Sequence, residues 1–513
     1  MSHRRPDATT LAASAVALAA LAPVVWILGE VVQIPPGEAV AILTAERTLA
    51  TLARTGVLVA GSTAIATALG VTLAVAVTWT DLPGRRAWTV ALAVPLVVPS
   101  YLGAFAYLSA GGANGLLARL TGIAWPSVRG LPGATVVIAL YVYPYVFLST
   151  RARLLALADR QVEAARTLGD GPLATIRRIA IPQARSATLA GALLVALYAL
   201  SDFGTPAILR VDVLTRVIYV RFGAFARAEV ALLSLQLLAI AGLILVVSTR
   251  IDATAATTVA TGTTDPVIEL GQWRWPATLG PLAVVAAALV VPVGVLLMWL
   301  VQPGLASPYA LPFEWTFAAT SVGLAVGTAL IAVVVALPVA VRAARGDRLG
   351  TALDRISHVG WAIPGIVLAF AIATLALALV GAYRLVPLLI GAYLVRFLPQ
   401  AVGTIRASIA GIDDTLQGAG RTLGDPPGRV FRRVTLPLIW PGIAAGAGLV
   451  GLTTMKELPA TLLLAPAHVD TLVTYIWAVR EAGLYGRAAI PALALIGLSA
   501  LSMGLVLARD RVT

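Results

Sequence analysis

The chain has 513 residues, of which 59% are hydrophobic and 12% are charged, and its formal net charge is +13. Soluble domains have about 45–50% apolar and about 25% charged residues, so this composition excludes a soluble enzyme, a disordered chain and a nucleic-acid-binding protein. The basic residues lie between apolar runs, which is typical of a membrane protein and predicts no nucleic-acid partner. With no Cys and three scattered His, the sequence predicts neither a disulfide framework nor a metal site.

Apolar runs long enough to cross a bilayer follow one another along the chain. A helix needs roughly 20 apolar residues to cross the hydrocarbon core. The sequence therefore predicts an all-α membrane protein with about 12 transmembrane helices. The predicted spans are 10–33, 55–79, 88–108, 132–150, 186–207, 229–249, 276–301, 316–341, 356–379, 385–402, 441–463 and 488–508.

Both termini are predicted to be cytoplasmic, because an even number of spans returns the chain to its starting side. With this orientation the inner segments carry about twice as many Arg residues as the outer ones, as the positive-inside rule requires. We therefore expect a multi-pass protein of the cell (inner, cytoplasmic) membrane, surrounded by lipid. The predicted outer loop 208–228 departs from the rule. Its basic residues are Arg210, Arg216, Arg221 and Arg227, which form either a docking face for an acidic partner or a solvated loop near lipid headgroups.

One segment of the sequence occurs twice. Residues 163–182 (EAARTLGDGPLATIRRIAIP) align without a gap with residues 418–437 (GAGRTLGDPPGRVFRRVTLP), and ten of the twenty positions are identical. The same offset of 255 pairs Pro144 with Pro399. The chain is therefore predicted to be a duplicated six-span unit whose halves have parallel topology. The predicted parts are a first membrane domain, a cytoplasmic linker and a second membrane domain, at 1–250, 251–275 and 276–513.

Each copy of the repeat lies in the longest inner loop of its half and is predicted to form a helix, a sharp turn and a second helix along the membrane face. Gly169 suits the turn because glycine accepts a positive φ, and Asp170 can cap a following short helix whose first turn holds Pro172. The small Ala164 and Ala165 would let a partner pack close to the backbone. An interfacial helix without a partner is the alternative, but the duplication favours paired docking sites.

Each copy also resembles the signature loop of permeases in binding-protein-dependent ABC importers, which reads Glu-Ala-Ala, three residues, Gly, nine residues and Ile-x-Leu-Pro. Both copies keep the spacing, but Gly418 replaces the Glu in the second, so we expect a charge contact from Glu163 in the first half alone. The residues expected to couple to the ATPase are Glu163, Ala164, Ala165, Gly169, Asp170, Gly418, Ala419, Gly420, Gly424 and Asp425.

The resemblance covers both halves and implies the type I ABC importer permease fold. It implies two copies of an ATP-binding subunit at the cytoplasmic loops and an extracytoplasmic solute-binding protein that delivers the cargo. Transport would follow alternating access, driven by closure of the ATPase subunits. The chain is then not an enzyme and binds no cofactor, because the partners use the ATP. The one Lys in the chain, Lys456, does not lie in a phosphate-binding loop motif.

A narrower resemblance concerns the cargo. SDFGTPAIL (Ser201–Leu209) and KELPATLLL (Lys456–Leu464) resemble segments of two-domain iron(III) permeases, and so do VPSYLGAFAYL (Val98–Leu108) and AIPGIVLAF (Ala362–Phe370). The resemblance implies ferric iron as the cargo. Thiamine, polyamine and phosphonate-type importers have related permeases, so these cargoes stay open.

Charged residues inside predicted spans are candidates for the translocation path. The repeat offset places Asp202 at the position equivalent to Glu457, and carboxylates suit a hard cation. Lys456 beside Glu457 weakens a purely cationic site. The structural alternative is that Glu457 pairs with Lys456 or an Arg, while Asp202 caps a helix end.

Two other classes of membrane protein are alternatives to an importer permease. A major-facilitator-type secondary transporter also has twelve spans in two parallel halves, but its longest inner loop usually joins the halves, whereas here the long loop lies within each half. A membrane-embedded enzyme would need a catalytic cluster at membrane depth, and the sequence contains no His pair, Cys or acidic cluster of that kind.

Overall fold

The computed structural model of the chain is helical in the part that it describes. That part comprises residues 7–112, 115–157, 167, 169, 171–249, 268–301, 313–412 and 426–509. Within these ranges, strand-type pairing is limited to two isolated bridges, Thr80 with Ile268 and Gly112 with Trp125. The predicted all-α fold is confirmed.

The described residues form ten helices that are long and apolar enough to cross a membrane, and two bent helix pairs raise the number of possible spans to 12. Every predicted span overlaps one of these. In chain order they are α1 (Ala8–Val32), α2 (Glu46–Trp79), α3 (Arg85–Val97 with Ser100–Ala110), α4 (Gly130–Leu155), α5 (Ile176–Ser201), α6 (Arg227–Ser248), α7 (Pro276–Val301), α8 (Trp315–Ala343), α9 (Arg348–Ala362 with Gly365–Val380), α10 (Val386–Ala410), α11 (Gly428–Met455) and α12 (Tyr485–Ser502).

The two bent spans, α3 and α9, both break at a proline. Their two parts meet at 90° in α3 and at 99° in α9. Pro99 and Pro364 precede the second parts as N-caps. Because a residue before proline is disfavoured in the α region, Val98 and Ile363 are extended, with ψ of 124° and 120°. The same break in each half is what a duplication predicts.

The bent span α3 crosses the membrane rather than returning to its starting side. Ser62 of α2 donates to the carbonyl oxygen of Thr135 on α4 at 3.2 Å. Further along both helices, a Cβ on Gly70 would lie 2.7 Å from Cβ of Val146. The contacting positions move toward the C-terminus on both helices, from Ser62 and Thr135 to Gly70 and Val146, so α2 and α4 are parallel. The chain must therefore cross once between them, and α3 is the segment that does so.

The bent span α9 crosses for the same reason. Ser321, near the start of α8, and Tyr393, near the start of α10, line one small cavity together with Met455 at the end of α11. The starts of α8 and α10 therefore lie at the same end. A crossing between them is required, and only α9 provides it.

The spans pack into two compact units that do not follow the two halves of the sequence. One unit contains α1, the start of α6 and α8–α12, and the other contains α2–α5, the remainder of α6 and α7. Trp26 of α1 thus donates to Thr374 Oγ1 of α9 at 2.9 Å. Likewise Tyr107 of α3 donates to the carbonyl of Ala287 on α7. The predicted domain limits describe the duplication along the sequence and stay a prediction.

Glycines permit the closest helix contacts within each unit. A Cβ on Gly191 of α5 would lie 2.8 Å from Cα of Val146 on α4, and one on Gly446 of α11 would lie 2.6 Å from Thr404 Oγ1 on α10. Lipid tails are as apolar as Leu side chains, so helix association in a membrane depends on close van der Waals packing through small residues. These glycines therefore hold the spans that frame each duplicated loop.

Candidate coupling loops and membrane-embedded polar sites

Among the predicted coupling residues, Gly169 lies in the described part of the chain. Its φ is +86°, and a Cβ added there would meet nothing within 4 Å. The predicted left-handed turn is therefore present, and glycine is required by the backbone rather than by packing. The other predicted coupling residues lie outside the described residues: Glu163, Ala164, Ala165, Asp170, Gly418, Ala419, Gly420, Gly424 and Asp425.

The chain leaves both repeats in the same way. The predicted short helix after the first turn is Pro172–Thr175, and its counterpart is Pro427–Val430. Each is followed by a π-helical turn, Ile176–Ala180 or Phe431–Thr435, at the repeat offset of 255. A proline follows each turn within two residues, and its missing N–H removes an α-helical hydrogen bond there. The two loops therefore enter α5 and α11 with matching geometry.

Two further segments lie at the same ends of their units as the repeats. Asp7, before α1, forms an ion pair with Arg345 at 2.7 Å, just beyond the end of α8. Since α8 and α10 are parallel, this is also the end at which α10 leads into the second repeat. The last part of the predicted linker lies beside the end of α2, where Leu270 N donates to Asp81 Oδ1 at 2.8 Å. That end is shared with α4, which leads into the first repeat.

Asp202 lies directly after α5, in a cluster of hydroxyl groups. Ser100 Oγ donates to Asp202 Oδ2 at 2.9 Å and lies 3.0 Å from the Tyr198 hydroxyl. The other carboxylate oxygen accepts from Thr205 N at 3.4 Å. Ser100 is buried, whereas Tyr198 and Asp202 are partly exposed. Asp202 thus caps the short helix Gly204–Ile208 and is partly exposed as a residue.

Glu457, at the equivalent position, forms an ion pair in the other unit. Arg396 donates to Glu457 Oε1 at 3.0 Å, and that oxygen also accepts from Ala460 N at 3.3 Å. The Glu457 side chain is 6% exposed and that of Arg396 is 16% exposed. Gly365 packs against the pair so closely that a Cβ would overlap the guanidinium. This is the arrangement of the structural alternative, with an Arg as the partner. Lys456 is the C-cap of α11 and is partly exposed.

The four Arg residues of the predicted docking face have different surroundings. Arg216 forms an ion pair with Asp212, and Arg227 donates to Glu30 at 2.6 and 2.5 Å. Arg210 is exposed, with a φ of +59° that is uncommon for a residue other than glycine. Arg221 is partly exposed.

The prediction of a loop at 208–228 is wrong. The segment contains the helix Leu214–Gly223, whose residues Leu214, Val217 and Ile218 are buried. Leu214 N donates to Thr55 Oγ1 of α2 at 3.0 Å. The three buried residues follow helical spacing, but the Arg residues interleaved with them obscured the pattern. The docking prediction therefore concerns the exposed side of a packed helix and its flanks.

Ser100 and Tyr198 are not among the site residues predicted from the sequence. Tyr198 precedes Asp202 by about one helical turn, so helical spacing could have indicated that the two side chains are close. Ser100 lies 102 positions before Asp202 in the chain, and no local pattern connects the two. The structural alternative pairs Glu457 with Lys456 or an Arg, and the structure identifies Arg396 as that partner.

The fold defines a duplicated permease with a broken third span in each half, and comparison with known proteins agrees. The model of the family described as binding-protein-dependent transport system inner membrane component matches residues 66–304 and 330–511. The chain belongs to this family. It is therefore a permease of a binding-protein-dependent ABC importer, with the type I fold and in a family of transport proteins rather than enzymes.

Individual relatives match to different extents. The Fe(3+)-transport system permease protein FbpB 2 of Haemophilus influenzae is 28% identical over 507 residues, which cover 97% of both chains. The probable ABC transporter permease protein y4fN of Sinorhizobium fredii is 25% identical, over 82% of this chain and 79% of its own. The molybdenum transport system permease protein ModB of Escherichia coli is 42% identical, over 12% of this chain and 28% of its own.

Family membership implies that the chain acts with an ATPase and a solute-binding protein. The multi-pass helical architecture and the family description place it in an inner membrane. The major-facilitator alternative is wrong, because the chain matches the importer family across both halves.

Proposed function

We propose that this permease forms the path by which ferric iron enters the cell. The observation that supports the cargo is the similarity to the Fe(3+) permease, which extends over 97% of both chains and so includes both halves. The resemblance to molybdenum permeases has higher identity but covers a much smaller part of the chain. Thiamine, polyamines and phosphonates are the competing cargoes to be tested beside iron.

The chemistry around Asp202 favours a cation over an oxyanion such as molybdate. Its carboxylate and the hydroxyls of Ser100 and Tyr198 provide oxygen atoms, which hard cations prefer. Arg396, which could attract an anion, is already paired with Glu457. Asp202 is thus the first candidate for a contact with cargo, and Lys456 and Glu457 are candidates with a larger structural role.

We propose that two ATP-binding subunits contact the two duplicated loops, which face the cytoplasm together with both termini. The partners bind and hydrolyse the ATP, and this chain holds no cofactor of its own. The left-handed turn at Gly169 supports a close approach to the first loop, because it allows a sharp chain reversal without a side chain.

The solute-binding protein is proposed to dock at the outer face around the helix Leu214–Gly223. Arg210, which is exposed, is the first candidate for a contact with its acidic surface, and Arg221 is a further candidate. Arg216 and Arg227 are engaged with Asp212 and Glu30 within this chain, so their availability for a partner is reduced.

The test is ATP-driven uptake in proteoliposomes containing the permease and its ATPase, with the cognate binding protein outside. Ferric citrate, molybdate, thiamine, putrescine and a phosphonate are offered in parallel, each as a radiolabelled solute. Iron uptake that requires ATP and the binding protein is the expected result. Uptake of another solute without iron would contradict the cargo proposal while leaving the permease assignment intact.

A further inference from the structure

The duplication places two sets of four residues at equivalent positions in the two units. The offset of 255 pairs Tyr141 with Arg396, Tyr145 with Gln400, Tyr198 with Thr453 and Asp202 with Glu457. The structure preserves one contact of this set in both units. The rings of Tyr145 and Tyr198 lie 6.5 Å apart, and Thr453 Oγ1 donates to Gln400 Oε1 at 3.1 Å. The two sets therefore have comparable geometry and different chemistry.

In the unit that contains α8–α12, the carboxylate is neutralised. Arg396 donates to Glu457 at 3.0 Å, and both side chains are largely buried. The carboxylate also accepts from the backbone N–H of Ala460. A buried ion pair with satisfied hydrogen bonds has no net charge with which to attract a cargo ion. We assign this set a structural role.

In the unit that contains α2–α5, Tyr141 occupies the position of the Arg. Among the residues that the structure describes, Asp202 forms no ion pair with an Arg or Lys. Its hydrogen bonds come from the Ser100 hydroxyl and the Thr205 N–H. A carboxylate in a membrane protein without a counter-ion is costly, which makes it a candidate for binding a cation.

The surroundings of Asp202 are rich in oxygen atoms. The Tyr198 hydroxyl and the Asp202 carboxylate both contact Ser100 Oγ, at 3.0 and 2.9 Å, so the three side chains form one cluster of oxygen atoms. The hydroxyl of Tyr141 is buried and has no hydrogen-bond partner within the described residues. Such an unsatisfied group needs an explanation, since nearly all buried polar atoms in proteins are paired. Tyr141 lies on α4, which packs against α5.

We propose that Tyr198, Asp202 and Ser100 form a transient site for a hard trivalent cation, with Tyr141 and Thr205 at its edge. The cation would be ferric iron if the proposed function holds, and it would be a cargo in transit rather than a resident metal. Carboxylate and phenolate oxygens are hard ligands, and Tyr is a known ligand of ferric iron in haem proteins. Binding would release the phenolic proton of Tyr198 to water. The partial exposure of Tyr198 and Asp202 provides access.

The experiment uses the permease–ATPase complex in nanodiscs without the binding protein, titrated with ferric citrate. Coordination by Tyr198 should produce a visible phenolate-to-iron charge-transfer band, which carboxylates and lipids do not give. Tyr198→Phe should abolish the band, and Asp202→Asn should weaken iron binding by about tenfold or more. Tyr198→Phe removes a single hydroxyl and leaves the bond from Ser100 to Asp202, so the fold should persist. Ser100→Ala is a second variant of the proposed site, and it removes the hydroxyl of Ser100 alone.

The matched control is Thr453→Ala, at the position equivalent to Tyr198, which should leave the band unchanged. A wild-type complex without the band, or a Tyr198→Phe variant that keeps it, would overturn the site. The two proposals fail separately. Iron uptake by proteoliposomes without the band would reject the site and keep the cargo, whereas the band without iron uptake would reject the cargo and keep a cation site.

Discussion

Gly365 shows how a single residue fixes the polar interior of one unit. It is the first residue after the proline break in α9, and it packs against the guanidinium of Arg396 and the carboxylate of Glu457. Any side chain at this position would displace the guanidinium from its partner. Ser100 is the corresponding first residue after the break in α3, and its hydroxyl instead donates to Asp202. The same backbone feature thus supports two different polar contacts.

Replacing Gly365 with Ala should destabilise the protein by about 3 kcal/mol, because it separates a largely buried ion pair. Thermal unfolding of the purified permease in detergent, followed by circular dichroism, measures the effect. Gly403→Ala in α10 is the matched control, since a Cβ there would meet nothing within 4 Å. Equal stability of the two variants would contradict the packing described for Gly365.

Asp347 contributes a pH-dependent contact outside the spans. Hydrogen bonds from the Arg342 guanidinium and from Gly350 N–H lower the pKa of its carboxyl from 3.8 to about 2. A lowered carboxyl pKa means that the folded state favours the ionised form. The stability that Asp347 adds is therefore complete above its ordinary pKa and is lost as the pH falls from 3.8 through about 2.

Asp347→Asn should consequently lower the melting temperature at neutral pH, and the difference from the wild type should shrink as the pH falls below about 4. Melting curves recorded at several pH values between 7 and 3 provide the measurement. Asp212→Asn, which removes an exposed ion pair with Arg216, is the comparison and should have little effect at any pH. A difference for Asp347→Asn that does not change with pH would contradict the pKa shift.

At the scale of elements, the turn at Gly169 separates the segment that precedes it from the helix Pro172–Thr175. The positive φ forces a change of chain direction that an L-residue with a bulky side chain adopts at a cost of about 1–2 kcal/mol. A β-branched residue there would shift the loop on which the proposed coupling depends, while the spans that enter and leave it would remain packed.

Gly169→Val should reduce ATP-driven uptake several-fold while membrane insertion and ATPase activity are retained. Gly171→Ala is the matched control. Gly171 lies two residues away and has an ordinary φ, and a Cβ added there would meet nothing within 4 Å. Uptake and ATP hydrolysis are measured in the same proteoliposomes. Normal coupling in Gly169→Val would count against the first repeat as a coupling loop.

At the scale of the molecule, the packing units differ from the sequence halves. Helix α1 belongs to the unit with α8–α12, and its Trp26 contacts Thr374 of α9. Helix α7 belongs to the unit with α2–α5. The two halves are therefore joined by the exchange of their first spans as well as by the linker, and cutting the linker should not release them.

A cross-linking experiment tests this arrangement, and the chain suits it because it has no native Cys. Cysteines at Trp26 and Thr374, joined by a short bifunctional thiol reagent, should link α1 to α9. With a protease site inserted in the linker, the two cleaved fragments should then migrate together in a denaturing gel. Single-cysteine variants are the controls. Separate fragments from the double variant would contradict the packing of α1 on α9.

The sequence alone determined the twelve spans, the duplication and the importer family, because each can be recognised from residues that are close together in the chain. Hydrophobic length identifies a span, and the repeated loop is a contiguous motif that includes Gly169. The tertiary structure decided what these patterns could not: that segment 208–228 contains a packed helix, that α1 and α7 pack with the opposite halves, and that Glu457 is paired whereas Asp202 faces hydroxyls. These outcomes depend on contacts such as Ser100 with Asp202, whose partners are distant in the chain. Their energies are set by packing and by the absence of water in the membrane interior, and neither is encoded at a single position.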